Sequence, residues 1–231
     1  MSTLVYRICA LLEQLLDGVP VGTNLGLLHL FLALLSGRLL LWRGALFPAL
    51  SDLGLSEAAV RRAQAALTYG HWQIAPLLDA WQRLVLREGR FRAHCYEGYH
   101  PVACDLVGFF RPRLQGCVSK HYHAQADKAL PAVVLGMVGA VGSVGTPRLA
   151  LARHLMRPPA GDTGEKALER RTLTQAGSGL AAKEVVIADA GFSLADTLAC
   201  KVSRFGLRRD RNFTARRNYL PAYKGRGAYP Q

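Results

Sequence analysis

The feature that most constrains this chain is a change of texture near Arg87–Gly98, "REGRFRAHCYEG". Upstream of it, leucine and alanine return every three and four residues, the spacing of amphipathic helices. Downstream, valine, glycine and aromatic residues gather in short runs suited to strands. A chain of 231 residues can hold one large domain or two modest ones. The break divides it into a helical region, residues 1–92, and a region of strands and helices, residues 93–231. With half of its residues hydrophobic, the chain has the means to bury a core and is not a disordered tail.

The helical region opens with Leu4, Ile8, Leu11, Leu12, Leu15 and Leu16 on one face, and "VPVGTN" (Val19–Asn24) breaks that helix. A second helix is expected over Leu25–Leu41, interrupted near Ser36–Gly37. Its apolar run contains His29 and Arg38 and is too short to cross a bilayer, so a buried core helix and no membrane partner are expected. Residues 44–69 then read as helix, turn and helix. Gly54–Leu55 forms the turn, Ser56 caps the next helix, and Glu57 lies in its first turn. Leu53, Leu55 and Val60 point inward, leaving Arg61, Arg62 and Gln64 on the outer side. That is the shape of a DNA-reading helix-turn-helix, although any helical hairpin with a glycine turn looks similar. A further helix is expected over Ile74–Arg87.

In the second region, strands are expected at His100–Phe109, Ala132–Val141, near Leu149–Leu155, at Glu184–Ala188 and at Asn212–Arg217. A charged helix starts at Asp162 or Thr163, and another runs from Ser193 to Phe205 with Leu194, Leu198 and Val202 on its inner face. Strands first, then helices alternating with strands, imply an α/β fold: a mixed sheet covered by helices.

Charge narrows the partner. Lysine and arginine outnumber aspartate and glutamate 29 to 16, a formal net charge of +13, which favours a polyanion such as nucleic acid. The excess is concentrated at the end, where nine basic residues from Lys201 onward face Asp210 alone. Arg216, Arg217, Lys224 and Arg226 of that tail are expected to hold a phosphate backbone. The five cysteines are widely spread, without the spacing of a zinc site or a redox pair. Reduced thiols in a cytoplasmic protein are the expectation. His94, His100, His121 and His123 have no acid or cysteine at ligand spacing and read as surface polar residues. Gly136, Gly139, Gly142 and Gly145 lack the Lys-Ser/Thr of a phosphate-cradling loop.

Two aspartates stand out. Asp105 lies in the first strand, "HPVACDLVGF", and Asp189 ends the fourth, "KEVVIADAGFS". If the early strands are consecutive hairpins, the first and fourth become neighbours and the two carboxylates face each other. Such a pair repels, and divalent cations relieve the repulsion. Paired cations of this kind cleave phosphodiesters. The plainer reading of Asp189, ahead of Gly191 and Ser193, is a turn or cap residue.

"VVIADAGFSLADTLACKV" followed by "NFTARRNYLPAYKGRGAYP" resembles the second-aspartate region of DDE transposases related to the insertion-sequence-four group. "ACDLVGFFRPRLQGCVSKHY" is similar to the first-aspartate region, "ALPAVVLGMVGAVG" to the strands between, and "RGALFPALSDLGLSEAAVRRAQAALTYGHW" to the helical DNA-engaging part. The resemblance covers about residues 40–231. It implies an RNase H-like core with Asp105 and Asp189 as catalytic, metal-holding acids and Mg2+ or Mn2+ as cofactor. It also implies terminal inverted repeats and target double-stranded DNA as partners, with self-association as a further option, in the cytoplasm at the nucleoid. Lys120 and His121 would contact phosphate. Two departures stand against it. Val107 occupies the place where many relatives have threonine, and no glutamate follows Glu184 to serve as third acid, only Asp196 and Asp210. The resemblance therefore implies a C-terminally truncated copy with an incomplete sheet, marginally stable, that either cleaves DNA or only binds it.

Overall fold

The computed structural model describes residues 3–110, 119–158, 164–189 and 191–207. The chain divides into two compact units, Met1–Arg90 and Phe91–Gln231.

In the first unit, helices α1 (Thr3–Leu16), α2 (Val21–Leu35), α3 (Arg38–Leu41), α4 (Leu46–Ser51), α5 (Glu57–Tyr69) and α6 (Ile74–Arg87) follow one another. The break after α1 is shorter than the sequence suggests. Pro20 is the N-cap of α2, and Gly22, Thr23 and Asn24 lie inside its first turns. The reason is that proline presets the backbone angle for helix entry and lacks only an N–H that would go unbonded there. Gly37, at φ +74°, separates α2 from α3 as expected. Leu16, Val19, Leu27 and Leu77 form one apolar cluster, and Ala33, Leu50, Val60 and Ala63 form a second, against which Leu53 and Leu55 pack. The α2–α3 segment is not buried all round: Leu34, Leu35, Leu40 and Leu41 are exposed. Among the described residues no helix is long and apolar enough to cross a membrane.

The turn between α4 and α5 passes through Gly54 at φ +73°, where a side chain would be strained. Ser56 then caps α5, its hydroxyl accepting from the amide of Ala59 at 3.3 Å, with Glu57 behind it at the positive end of the helix. We expect Ser56→Ala to cost about 1 kcal/mol of stability, read as a lowered denaturant midpoint with an unchanged slope. An unchanged midpoint would show that the cap contributes nothing.

The second unit is a mixed α/β layer. Its seven strands are β1 (Phe91–Ala93), β2 (His100–Phe110), β3 (Lys120–His123), β4 (Lys128–Val144), β5 (Arg148–Met156), β6 (Glu184–Ala188) and β7 (Phe205–Leu207). Strand β4 is the long central member, antiparallel to β1, β2, β3 and β5. Strand β6 runs parallel to β2, and β7 parallel to β6. Helix α7 (Glu165–Ser178) packs Leu168, Leu173 and Ala176 onto one sheet face. There they meet Val102, Cys104, Val134, Val138 and Val186. Helix α8 (Leu194–Ala199) precedes β7.

The helix expected over Ser193–Phe205 is therefore cut short. The chain leaves α8 at Cys200, takes Lys201 through φ +55°, and enters β7 at Phe205. Val202 is buried, but Leu194 and Leu198 are exposed; the inner residues of α8 are Asp196 and Thr197. Asp196 is held by Ser193 and by Arg170 of α7, so polar contacts orient α8 where an apolar stripe was expected. The strand expected at Asn212–Arg217 lies outside the described residues.

Candidate metal and DNA site

Strands alternate their side chains between faces, so neighbours two apart share one. On β2, Val102, Cys104, Leu106 and Phe110 face the core under α7. Asp105, with Val107 and Phe109, must then point to the opposite face. On β6, Val186 and Ala188 face the core, which places Ile187 and Asp189 on that same opposite face. Val107 is 37% exposed, Ile187 41% and Phe109 48%, so this face is uncovered by the described residues.

The register brings the acids together. Cys104 pairs with Ala188 in the parallel β2–β6 ladder; Asp105 is the next residue on β2 and Asp189 the first residue past the end of β6, close enough for its charge to act on Asp105. Adjacent strands lie about 4.8 Å apart, so the two side chains start from neighbouring positions on one face. The β2–β6 adjacency follows because β4 folds back on β2 and leaves the other β2 edge free for β6.

Burial pushes the Asp105 carboxyl above the ordinary carboxylate range; the amide of Leu106, donating to Oδ1 at 2.8 Å, opposes this, and the charge of Asp189 adds to it. Asp189 accepts from the amide of Gly191 on Oδ1 at 2.9 Å, so it does turn the chain as a short Asx loop. The cap of α8 is Ser193, whose hydroxyl accepts from the Asp196 amide at 3.0 Å. Asp189 is thus not the helix cap, and Oδ2 of each aspartate has no hydrogen bond among the described residues. Both aspartates are exposed, and two neighbouring acceptor oxygens of like charge suit a small divalent cation that retains several waters.

Among the described residues no group of three or more histidine, cysteine, aspartate or glutamate side chains gathers about a common point. Asp196 is occupied elsewhere: it accepts from Ser193 Oγ at 2.5 Å and from Arg170 Nε at 2.7 Å, contacts that hold its carboxyl below the ordinary range. Asp210 lies outside the described residues.

Of the remaining expected residues, His121 is near enough for its charge to act on Asp105, pulling that carboxyl down; the others fall in separate places. Lys120 is exposed on β3. His121 is half-buried on the core side, its ring against Gly108 and Phe110 and its Nδ1 2.6 Å from Glu165 at the start of α7. Only its other nitrogen is left for a phosphate. In the first unit, Arg61, Arg62 and Gln64 are all on the exposed side of α5, opposite buried Val60, Ala63 and Ala66. Arg61 pairs with Glu57 one turn earlier. Arg62 lies near His29, whose imidazole is held below its ordinary value by burial and then by that arginine. Arg216, Arg217, Lys224 and Arg226 lie outside the described residues.

Sequence pattern alone did not single out Glu184. It is buried at the start of β6, accepts from Arg153 Nη2 at 2.5 Å and from the Ala181 amide at 3.0 Å, and these donors hold its carboxyl below the ordinary range. Arg204 donates to the Glu184 carbonyl at 2.8 Å. This network anchors the strand that delivers Asp189; an acid in an apolar strand was its only sequence signal. No protein-family model and no curated protein matches the chain.

Proposed function

We propose that this chain engages double-stranded DNA and holds Mg2+ or Mn2+ at Asp105 and Asp189 to cleave phosphodiester bonds and transfer strands at the ends of an inserted element. This is the chemistry of the DDE transposases it resembles, with terminal inverted repeats and target DNA as substrates. The observation that supports the reading is that Asp105 on β2 and Asp189, just past the end of the neighbouring parallel strand β6, lie close enough for their charges to interact. A cation bound there would polarise a phosphoryl oxygen and make an attacking water or 3′ hydroxyl a better nucleophile.

The protein's own part is to fix the two carboxylates. Leu106 N–H orients Asp105, Gly191 N–H orients Asp189, and the Glu184 network holds β6 in register. The exposed α5 face bearing Arg61, Arg62 and Gln64 supplies a DNA contact in the first unit, in the manner of a recognition helix. A net charge of +13 raises the local concentration of DNA at low salt.

A second reading is a DNA-binding protein without cleavage activity. It is favoured by the lack, among the described residues, of a third acid beside the pair. The two separate in a supercoiled-plasmid assay with purified full-length chain. Nicking that needs Mg2+ or Mn2+ and stops with chelator supports cleavage. Salt-sensitive binding without nicking supports the binder, and no binding at low salt contradicts both.

A further inference from the structure

We infer that the second unit carries a phosphodiester-binding groove on the same sheet face as the acid pair, built on one rung of the sheet by Arg92, Ser143 and Arg148. Arg92 of β1 pairs with Ser143 of β4, and Ser143 pairs with Arg148 of β5. Directly opposed residues of antiparallel strands point to the same side. The two guanidinium groups therefore flank one serine, with Cα atoms about 10 Å apart across two strand spacings.

The groove has a volume of about 480 Å3, and Thr146, His94 and Tyr96 also line it. Among the described residues no acidic side chain lines it. Among the described residues Arg7, Arg38, Arg61, Arg153 and Arg170 each pair with a carboxylate, those of Glu88, Asp52, Glu57, Glu184 and Asp196. Arg92 and Arg148 are exposed and make no ion pair among the described residues. Two unopposed cations over a hydroxyl form the complement of a phosphate group. At one end Tyr96, 56% exposed, stands edge to face with His94 and bonds its Nδ1 at 3.2 Å, offering a flat surface to a sugar or base.

Position ties the groove to the acids. Asp105 pairs with Met137 on β4, and Met137 and Ser143 are an even number of residues apart, so the arginine rung and the acid pair share a face. The separation along β4 is about 20 Å at ~3.4 Å per residue. That corresponds to about six nucleotides along one strand of a duplex at ~3.4 Å each. The groove thus holds a DNA backbone at a fixed distance from the carboxylates and sets which phosphate reaches them. This rests on the reading of the chain as a DNA-binding protein; free phosphate shares the chemistry, and the test separates the two.

Cys95 is an exposed free thiol in the groove and serves as the probe. Full-length protein is alkylated with a maleimide, with and without a short DNA duplex across a salt series, and Cys95 is followed by peptide mass. Duplex is expected to slow alkylation at Cys95 several-fold, with protection fading as salt rises. The Arg92→Gln/Arg148→Gln variant is expected to lose that protection, and its slope of log affinity against log salt falls by about 0.9 for each phosphate it no longer neutralises. Protection by inorganic phosphate at equal phosphate concentration would overturn the DNA assignment. So would an unprotected Cys95 in wild-type protein that binds the duplex, a result that leaves the acid-pair reading standing. If the wild type binds no duplex at all, both readings fall together.

Discussion

Asp105→Asn is expected to reduce metal-dependent DNA nicking by about a thousandfold or more, because a cation held at this pair is asked to supply several kcal/mol of transition-state stabilisation. Asp189→Asn should do the same, since either substitution removes one of two anionic ligands. Binding of DNA should survive both changes, because neither residue is a base contact or a cation. A second consequence needs no catalysis. The Asp105 carboxyl is raised above its ordinary value by burial and, against the pull of the Leu106 amide, by Asp189. The folded chain thus binds that proton more tightly than the unfolded chain. The stability this contributes is fully present below the unfolded value and is lost as pH rises through the folded one. At neutral pH without divalent ions, the ionised pair therefore weighs against the fold. Asp105→Asn should raise the melting midpoint slightly at neutral pH, with the gain vanishing as pH falls below the ordinary carboxylate range. Adding Mg2+ should reverse the order: at ten times its dissociation constant it stabilises wild type by about 1.4 kcal/mol and leaves the variant unmoved. A variant that melts below wild type without metal would show that the carboxylates do not repel.

Gly136→Ala is expected to cost about 2–3 kcal/mol and lower the melting midpoint by about 5 °C or more. A Cβ at Gly136 would lie 2.1 Å from Thr172 Oγ1, and Leu168 Cδ1 is 3.3 Å away. Neither neighbour can yield easily. Thr172 and Leu168 are both fully buried, and the Thr172 hydroxyl donates to the Leu168 carbonyl at 2.8 Å. The methyl must lift α7 from the sheet or force those side chains out of their rotamers. Helix α7 covers the core beneath β2 and β6, so lifting it loosens the strand that carries Asp105 and the strand that leads into Asp189. Gly206→Ala is the matched control, because its added Cβ meets nothing within 4 Å. Equal melting of the two variants would show that α7 does not seat as closely as this packing requires.

The strands legible from sequence were those long enough to carry a pattern. Valine and glycine runs marked β2 and β4, the apolar stretch near Leu149–Leu155 marked β5, and "EVVIA" marked β6 to the residue. Strands β1, β3 and β7 have three or four residues each and no pattern of their own; β1 and β3 exist because β4 is long enough to pair with them. The excess length assigned to α8 came from reading Leu194, Leu198 and Val202 as one stripe, when Lys201 at positive φ separates the last of them from the helix. Leucine spacing located α2 but could not say that Leu34 and Leu35 face outward, because a helix apolar all round gives no preferred face. The β2–β6 neighbourhood was legible for a topological reason. Consecutive hairpins leave one β2 edge open, and a late apolar strand ending in aspartate fills it. The Arg92–Ser143–Arg148 rung was not legible, because its members are far apart in sequence and are joined only by register.

Asp105 and Asp189 are expected to hold one divalent cation site between them. Titration of Mn2+ into the full-length protein, followed by the loss of the free-ion electron paramagnetic resonance signal, tests it most directly. The expected result is saturable binding that strengthens as pH rises above the carboxylate range and is lost in both Asp105→Asn and Asp189→Asn. Binding that is absent in wild type, or that persists unchanged in both variants, would contradict it.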